Sequence, residues 1–344
     1  MQTLTITRPD DWHVHLRDDD KLIDTVAATA KHFQRALIMP NLHPPLITVA
    51  DLLAYRARIA KHIPADNQFQ PLMTLYLTTS TNPAELLCAK NESGILGAKL
   101  YPAGATTNSE SGVNNLKSIY HLLELMQQYD LVLQLHGEVT YGDIFEREQR
   151  FLTESLTKIL KNFPKLRIVL EHISTAAAVD FVQAAPPTLA ATITPQHLLY
   201  NRNHLLAGGI RPHYYCLPIL KHEQDMHALR SAAISGNPKF FAGTDSAPHI
   251  QDQKENSCGC AGVYSAPYAI SLYAQLFDEL GKLSALDAFL GKLGAQFYQM
   301  PQNTRHIILH KQSRLIAANL PLGKHHVVPI AAGDTVHWSV YATC

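Results

Sequence analysis

At 344 residues, with 46% hydrophobic and 17% charged side chains, the chain has the length and apolar content for one large α/β barrel or two smaller domains. Its 29 basic and 29 acidic side chains cancel, which excludes a global field drawing it to nucleic acid or an anionic membrane and leaves any anionic ligand in need of local positive charge. Five cysteines, an odd number without regular spacing, argue against a disulfide framework; with no signal-peptide pattern in Met1-Gln2-Thr3-Leu4-Thr5 and no apolar run near the ~18 residues of a membrane span, a cytoplasmic protein is expected.

Short apolar runs alternate with longer amphipathic ones throughout, the mark of βα units around a parallel sheet. Leu4-Thr5-Ile6-Thr7 alternates as a strand that would run into Asp11-Trp12-His13-Val14-His15-Leu16-Arg17. On a strand His13 and His15 point to the same side and can grip one ion, whereas on a helix the spacing would turn them apart. Further strands are read at 35–41, 71–77, 97–102, 131–136, 166–172, 189–194 and 239–245. Leu52, Leu53, Tyr55, Ile59 and Ile63 mark one helix between them, and Leu116, Ile119, Tyr120, Leu123 and Met126 another. Eight strand candidates separated by helices predict a (β/α)8 TIM-type barrel as a single domain over 1–344, with short C-terminal strands from about Ser313 packed outside it.

In that fold, side chains at the carboxyl ends of strands converge on one mouth. His13, His15, Lys99, His136, His172 and Asp245 all fall there. Taken singly, each has a plainer reading: a strand-end histidine as a core residue, a buried lysine paired with a carboxylate, Asp245 as a helix cap. Five strand ends in one register make a metal centre the better one. A free ammonium has no lone pair and repels a cation, but Lys99 carboxylated by carbon dioxide becomes an anionic carbamate that can bridge two ions. Burial eases that reaction by lowering the amine's pKa. The set then divides into His13, His15 and Asp245 on one ion and His136 and His172 on the other, and a water between two zinc ions would be hydroxide at neutral pH. The pair Cys258-Gly-Cys260 is spaced too closely, and stands too much alone, for a structural zinc site.

Asp-Trp-His-Val-His-Leu-Arg at 11–17, Met-Pro-Asn-Leu at 39–42, Ala-Lys-Leu-Tyr-Pro at 98–102, His-Gly-Glu at 136–138, Glu-His at 171–172 and Gly-Thr-Asp-Ser-Ala-Pro-His at 243–249 resemble the dihydroorotase family, in its short bacterial form within the amidohydrolase superfamily. Ala-Thr-Ile-Thr-Pro-Gln-His at 191–197 and Ser-Cys-Gly-Cys-Ala-Gly at 257–262 extend the resemblance over nearly the whole chain. One departure is Val263, where a further cysteine is expected.

The resemblance implies reversible cyclisation of N-carbamoyl-L-aspartate to L-dihydroorotate in pyrimidine synthesis, by a homodimer with two zinc ions per chain. It makes His13, His15, Lys99 (as N6-carboxylysine), His136, His172 and Asp245 the ligands. Arg17, Asn41, His249 and the backbone around Ala261 would hold the substrate's α-carboxylate, Leu217 would give a main-chain contact to the ring, and Thr106-Thr107 would tip a mobile loop over the ligand. Arg17 suits a carboxylate because its guanidinium donates two parallel hydrogen bonds, and Asp245 would serve as general base and then acid. A hydantoinase on the same metal site is the nearest alternative, yet a neutral hydantoin offers no carboxylate to Arg17, Asn41 and His249. A catalytically dead structural relative would have lost ligands or the aspartate, and all are present.

Overall fold

In the computed structural model, which describes residues 2–343, Thr3–Thr7 forms a strand, β1, but it does not run on into the histidine pair. Arg8-Pro9 interrupts it, because proline has no N–H to give a ladder, and β1 pairs antiparallel with residues 306–310 instead. The barrel begins one element later. Its strands are β2 (Asp10–Val14), β3 (Arg35–Ile38), β4 (Gln70–Leu77), β5 (Ile95–Leu100), β6 (Val132–His136), β7 (Ile168–Glu171), β8 (Leu189–Ile193) and β9 (Phe240–Ala242). They form one eight-stranded sheet in chain order, each pair parallel. Its two edges meet just past β9, where Asp245 N–H donates to His13 O at 2.8 Å and His15 N–H to Ser246 O at 3.0 Å. The architecture is the expected (β/α)8 barrel.

The period of two explains which residues face where. Ala36, Ile38, Met73, Leu75, Leu133, Leu135 and Leu170 pack in the main core beneath the surrounding helices. Their neighbours Leu37, Leu72, Val132, Val169, Ala190 and Phe241 join Trp12 in a second cluster with Ala295 and Tyr298 from the C-terminal helical segment. Tyr298 stacks on Trp12 with ring centroids 4.5 Å apart. Gly294 permits that approach: a Cβ there would lie 2.0 Å from Trp12 Nε1. Next along the inward faces of β4 and β6 come Thr74 and Gln134, joined at 2.6 Å, with Gln134 Nε2 donating to the Tyr298 hydroxyl at 3.3 Å. Beyond them lie Lys99, His136 and Glu171. The barrel is thus apolar at one end and polar at the other.

After the barrel the chain adds β10 (His306–His310), β11 (Arg314–Leu315), β12 (Leu320–Leu322), β13 (His325–Val327), β14 (Thr335–Val336) and β15 (Ser339–Thr343). They make two short hairpin-like pairs and a three-stranded sheet ordered β1-β10-β15. The expected outer strands are therefore present, begin slightly before Ser313, and recruit the N-terminal strand.

At the starts of β2 and β3 lies a buried ion pair. Arg35 Nε and Nη2 donate to the two Asp10 carboxylate oxygens at 2.8 and 2.5 Å, and Asn303 Nδ2 donates to Asp10 Oδ1 at 2.8 Å. Removing one partner of such a pair strands the other charge in the interior, which costs roughly 3–5 kcal/mol. Asp10→Ala should lower the unfolding free energy by that amount, read from the urea midpoint; an unchanged midpoint would refute a structural role for the pair.

Candidate active site

The polar mouth is assembled where the sheet closes. Asp11 sits wholly buried between the two edges: its Oδ1 accepts from Thr244 N at 2.8 Å and from His13 N at 3.2 Å, and its Oδ2 accepts from Thr244 Oγ1 at 2.6 Å. Burial pushes this carboxyl up to about 7, against the pull of those donors. The clamp fixes His13 and Asp245 relative to each other. Asp245 follows with φ 45°, and His172, just after β7, has φ 43°. Left-handed backbone at non-glycine residues costs on the order of 1–3 kcal/mol each and persists where its surroundings enforce it. Here it turns both side chains back over the mouth.

His13 Nε2 and His15 Nε2 are 3.3 Å apart and lie 3.3 and 3.2 Å from Asp245 Oδ1. These three side chains form one group able to hold a metal ion, and His13, Glu171 and His172 form a second. The first is the trio expected on one ion. The second differs from expectation, since Glu171 enters it and His136 does not. His136 still meets His172 edge to face, with centroids 4.8 Å apart, while its Nε2 is held 3.0 Å from Glu138 Oε2. Lys99, wholly buried, contacts Glu171 Oε2, which also lies 3.2 Å from His13 Nδ1. The plainer reading of Lys99 is thus seen directly: with a free amine, it pairs with a carboxylate.

Burial pushes the Lys99 ammonium well below its ordinary range, with the Asp245 charge opposing. Burial likewise takes His13 and His172 well below the usual histidine range, and the Lys99 charge and the neighbouring imidazoles act in the same sense. His15 is lowered by burial, with Asp245 working against it. Neutral imidazoles keep a free lone pair. His136 Nδ1, His172 Nδ1 and Glu171 Oε1 are buried without a hydrogen-bond partner among the described residues. Orphaned buried acceptors at one spot are expensive unless something electropositive meets them, so the donor set fits divalent metal.

A narrow cavity opens above these groups. Its walls include His13, His15, Arg17, Asn41, Thr106, Thr107, His136, His172, Leu217, Asp245 and Ala261, together with Tyr101, Ala247 and Gly262. Of the residues expected from sequence, Lys99 and His249 do not line it. Lys99 is enclosed with Glu171, and His249 Nε2 lies 3.0 Å from both Arg17 Nη2 and Ala261 O. Arg17 Nε donates to Pro248 O at 2.9 Å. The 103–112 loop is docked: Asn41 Nδ2 donates to Thr107 O at 3.0 Å, Asn108 Nδ2 to Asn41 O at 3.0 Å, and Thr107 Oγ1 to Ala261 O at 3.3 Å. Cys258 and Cys260 belong to neither metal-binding group among the described residues.

Sequence reading missed Asp11, Glu138 and Glu171 as contributors. Counting by twos from Val169 would have turned Glu171 inward beside Lys99.

The chain matches the amidohydrolase family over residues 6–308. It is 56% identical over 342 residues to a dihydroorotase of Shewanella sp. (strain ANA-3), covering 99% of this chain and 100% of that one. It is 53% identical over 340 residues to a dihydroorotase of Hahella chejuensis, covering 98% and 99%. The chain belongs to the dihydroorotases of the amidohydrolase family. Its fold is shared, at TM-score 0.90 and 34% identity over 99% of both chains, with the crystal structure of a Saccharomyces cerevisiae dihydroorotase in complex with 5-fluoroorotic acid. An L-hydantoinase from Arthrobacter aurescens, at TM-score 0.85 but 15% identity over 99% of this chain and 84% of that one, shares the barrel alone.

Glu138 Oε2, 3.0 Å from His136 Nε2, stands where it can accept a proton from that nitrogen, the arrangement that would turn the ring's lone pair to Nδ1. Losing such a support typically lowers metal affinity about 10–100-fold. Glu138→Ala should show that loss in a chelator-competition titration, and Glu138→Gln, which keeps an acceptor, a smaller one. Equal metal retention in all three proteins would contradict it.

Proposed function

We propose that the chain catalyses the reversible, zinc-dependent cyclisation of N-carbamoyl-L-aspartate to L-dihydroorotate, with release of water, in de novo pyrimidine (UMP) biosynthesis. The observation that carries the reading is Arg17, set on the wall of a cavity that also holds a cluster of side chains able to ligate metal. A guanidinium there selects a carboxylate-bearing substrate. We take the protein to be single-domain and cytoplasmic, as its sequence pattern suggests, and a homodimer, as the family resemblance implies.

His13, His15 and Asp245 would hold one zinc ion and His136 and His172 the other, with carboxylated Lys99 between them. In that form Lys99 carries an anion, so Glu171 would have to leave it, and His13 Nδ1 at 3.2 Å is the partner within reach. When bound, the ions would supply Lewis-acid polarisation of the amide carbonyl and an acidified water.

Everything else is work for the chain. Arg17, Asn41, His249 and the Ala261 backbone hold the α-carboxylate, and the main chain of Leu217 meets the ring. In hydrolysis Asp245 accepts the proton of the attacking water and delivers it to the departing ring nitrogen. In cyclisation it takes the proton from the ureido nitrogen as that atom closes on the side-chain carboxyl, and returns it to the carboxyl oxygen whose bond to carbon breaks, which with a solvent proton leaves as water. Thr106 and Thr107 donate to the ligand and, with the docked loop, keep bulk water from the reacting atoms.

The assay is direct: purified protein should form dihydroorotate from carbamoyl aspartate and hydrolyse it back, and inactivity in both directions with full metal would end the proposal. Replacing both Thr106 and Thr107 with valine removes two donors to a charged ligand, each worth roughly 1.5–3 kcal/mol, so kcat/KM should fall about 10²–10⁴-fold at constant metal content. A double variant of undiminished kcat/KM would reduce the loop to a connection. Lys99→Ala should lose most activity and recover part of it with added short carboxylic acids; full activity without them would refute the carbamate.

A further inference from the structure

Behind the pocket wall lies a cation that the reaction as described does not use. Lys254, at the end of the short Gln251–Lys254 helix, is 3% exposed. Its Nζ donates to three main-chain carbonyls: Tyr215 O at 3.0 Å, Cys260 O at 2.9 Å and Gly262 O at 2.6 Å. That uses all the ammonium's protons. No carboxylate forms an ion pair with it among the described residues. A buried ammonium without a counter-ion is costly, so its placement calls for a reason.

The three carbonyls belong to the two segments that bring Leu217 and Ala261 to the cavity, and Gly262 N–H donates to Tyr215 O at 2.9 Å to stitch them together. Gly262 must be glycine: its φ is +150°, and a Cβ would lie 2.5 Å from Ala247 O and 2.9 Å from His249 Cδ2. In a trans peptide the C=O and the following N–H point in opposite directions. Holding Cys260 O therefore turns the Ala261 N–H away from Lys254, on the residue that lines the cavity. That N–H makes no hydrogen bond among the described residues. The lysine charge also reaches His249, which burial, Arg17 and Lys254 together hold well below the ordinary histidine range.

We propose that Lys254 is the positioning residue of the carboxylate subsite: it aims the free Ala261 N–H at the substrate's carboxylate and adds, with Arg17, a second positive charge to that end of a chain with no net charge. The inference rests on the reading that a carbamoyl amino diacid and its cyclic carboxylated product are the substrates. Lys254 acts on binding rather than on bond-breaking, since the groups that move protons and hold metal lie elsewhere.

The test is Lys254→Met in the metal-loaded enzyme, which keeps the aliphatic stem and removes the charge and all three donors. KM for dihydroorotate and for carbamoyl aspartate should each rise on the order of 10-fold or more, with kcat within about 3-fold of wild type and metal stoichiometry unchanged. Inhibition by orotate, an anionic ring, should weaken in parallel. Lys254→Gln retains amide donors without the charge and should fall between; it also carries the test if the methionine variant does not fold. Unchanged KM, or a loss confined to kcat, would overturn the proposal, and so would failure of both variants to fold, which would make Lys254 a stability residue only. A wild-type enzyme inert toward carbamoyl aspartate would instead strike the functional reading, whatever Lys254 does.

Discussion

The structure depends on the closure of its barrel between β2 and β9. An open parallel sheet would leave two unpaired edges; here the edges are joined by His13 O, Asp245 N and the buried carboxylate of Asp11, which gathers Thr244 and the His13 amide. The same few atoms that seal the sheet set the separation of two expected metal ligands. A disturbance of closure is therefore a disturbance of the site, and a well-closed barrel delivers His13 and Asp245 to each other without help from the loops.

Around that seam the protein concentrates groups that water would otherwise stabilise. Four imidazoles, a lysine and several carboxyls share one end of a barrel whose other end is filled by Trp12, Phe241 and Tyr298. Burial disfavours charge on His13, His15 and His172, which favours their neutral form with a free lone pair, and Lys99 loses the hydration that would keep it an ordinary ammonium. Acceptors left without donors, His136 Nδ1 and His172 Nδ1 among them, show that the side chains alone do not balance this site.

Much of this is legible in the amino-acid sequence alone. The βα alternation and the polar residue closing each apolar run give the barrel and its active end, because strand-end position and convergence are the same fact in this fold. Three things escaped. Pro9 splits the first strand, yet the alternation through Leu4 and Ile6 looks the same in either sheet, so its partner, residues 306–310, could not be read locally. Glu171 was passed over beside the more obvious His172, although its register with Val169 points it inward. Asp11 and Lys254 act through backbone groups, and a hydrogen bond to an amide or carbonyl leaves no spacing in a sequence.

The outer sheet carries a consequence for how the chain is made. β1 has its ladder with β10, roughly 300 residues later, and β10 in turn pairs with β15. Contacts this distant in sequence are slow to form, since the loop entropy is spent before they return anything. During synthesis β1 must therefore wait, exposed, until residues 306–310 have left the ribosome. Barrel strands β2 to β8 can pair with their neighbours as they emerge, but β1 completes its ladder only after the whole barrel and β10 have emerged, and until then it is an edge open to a mistaken partner.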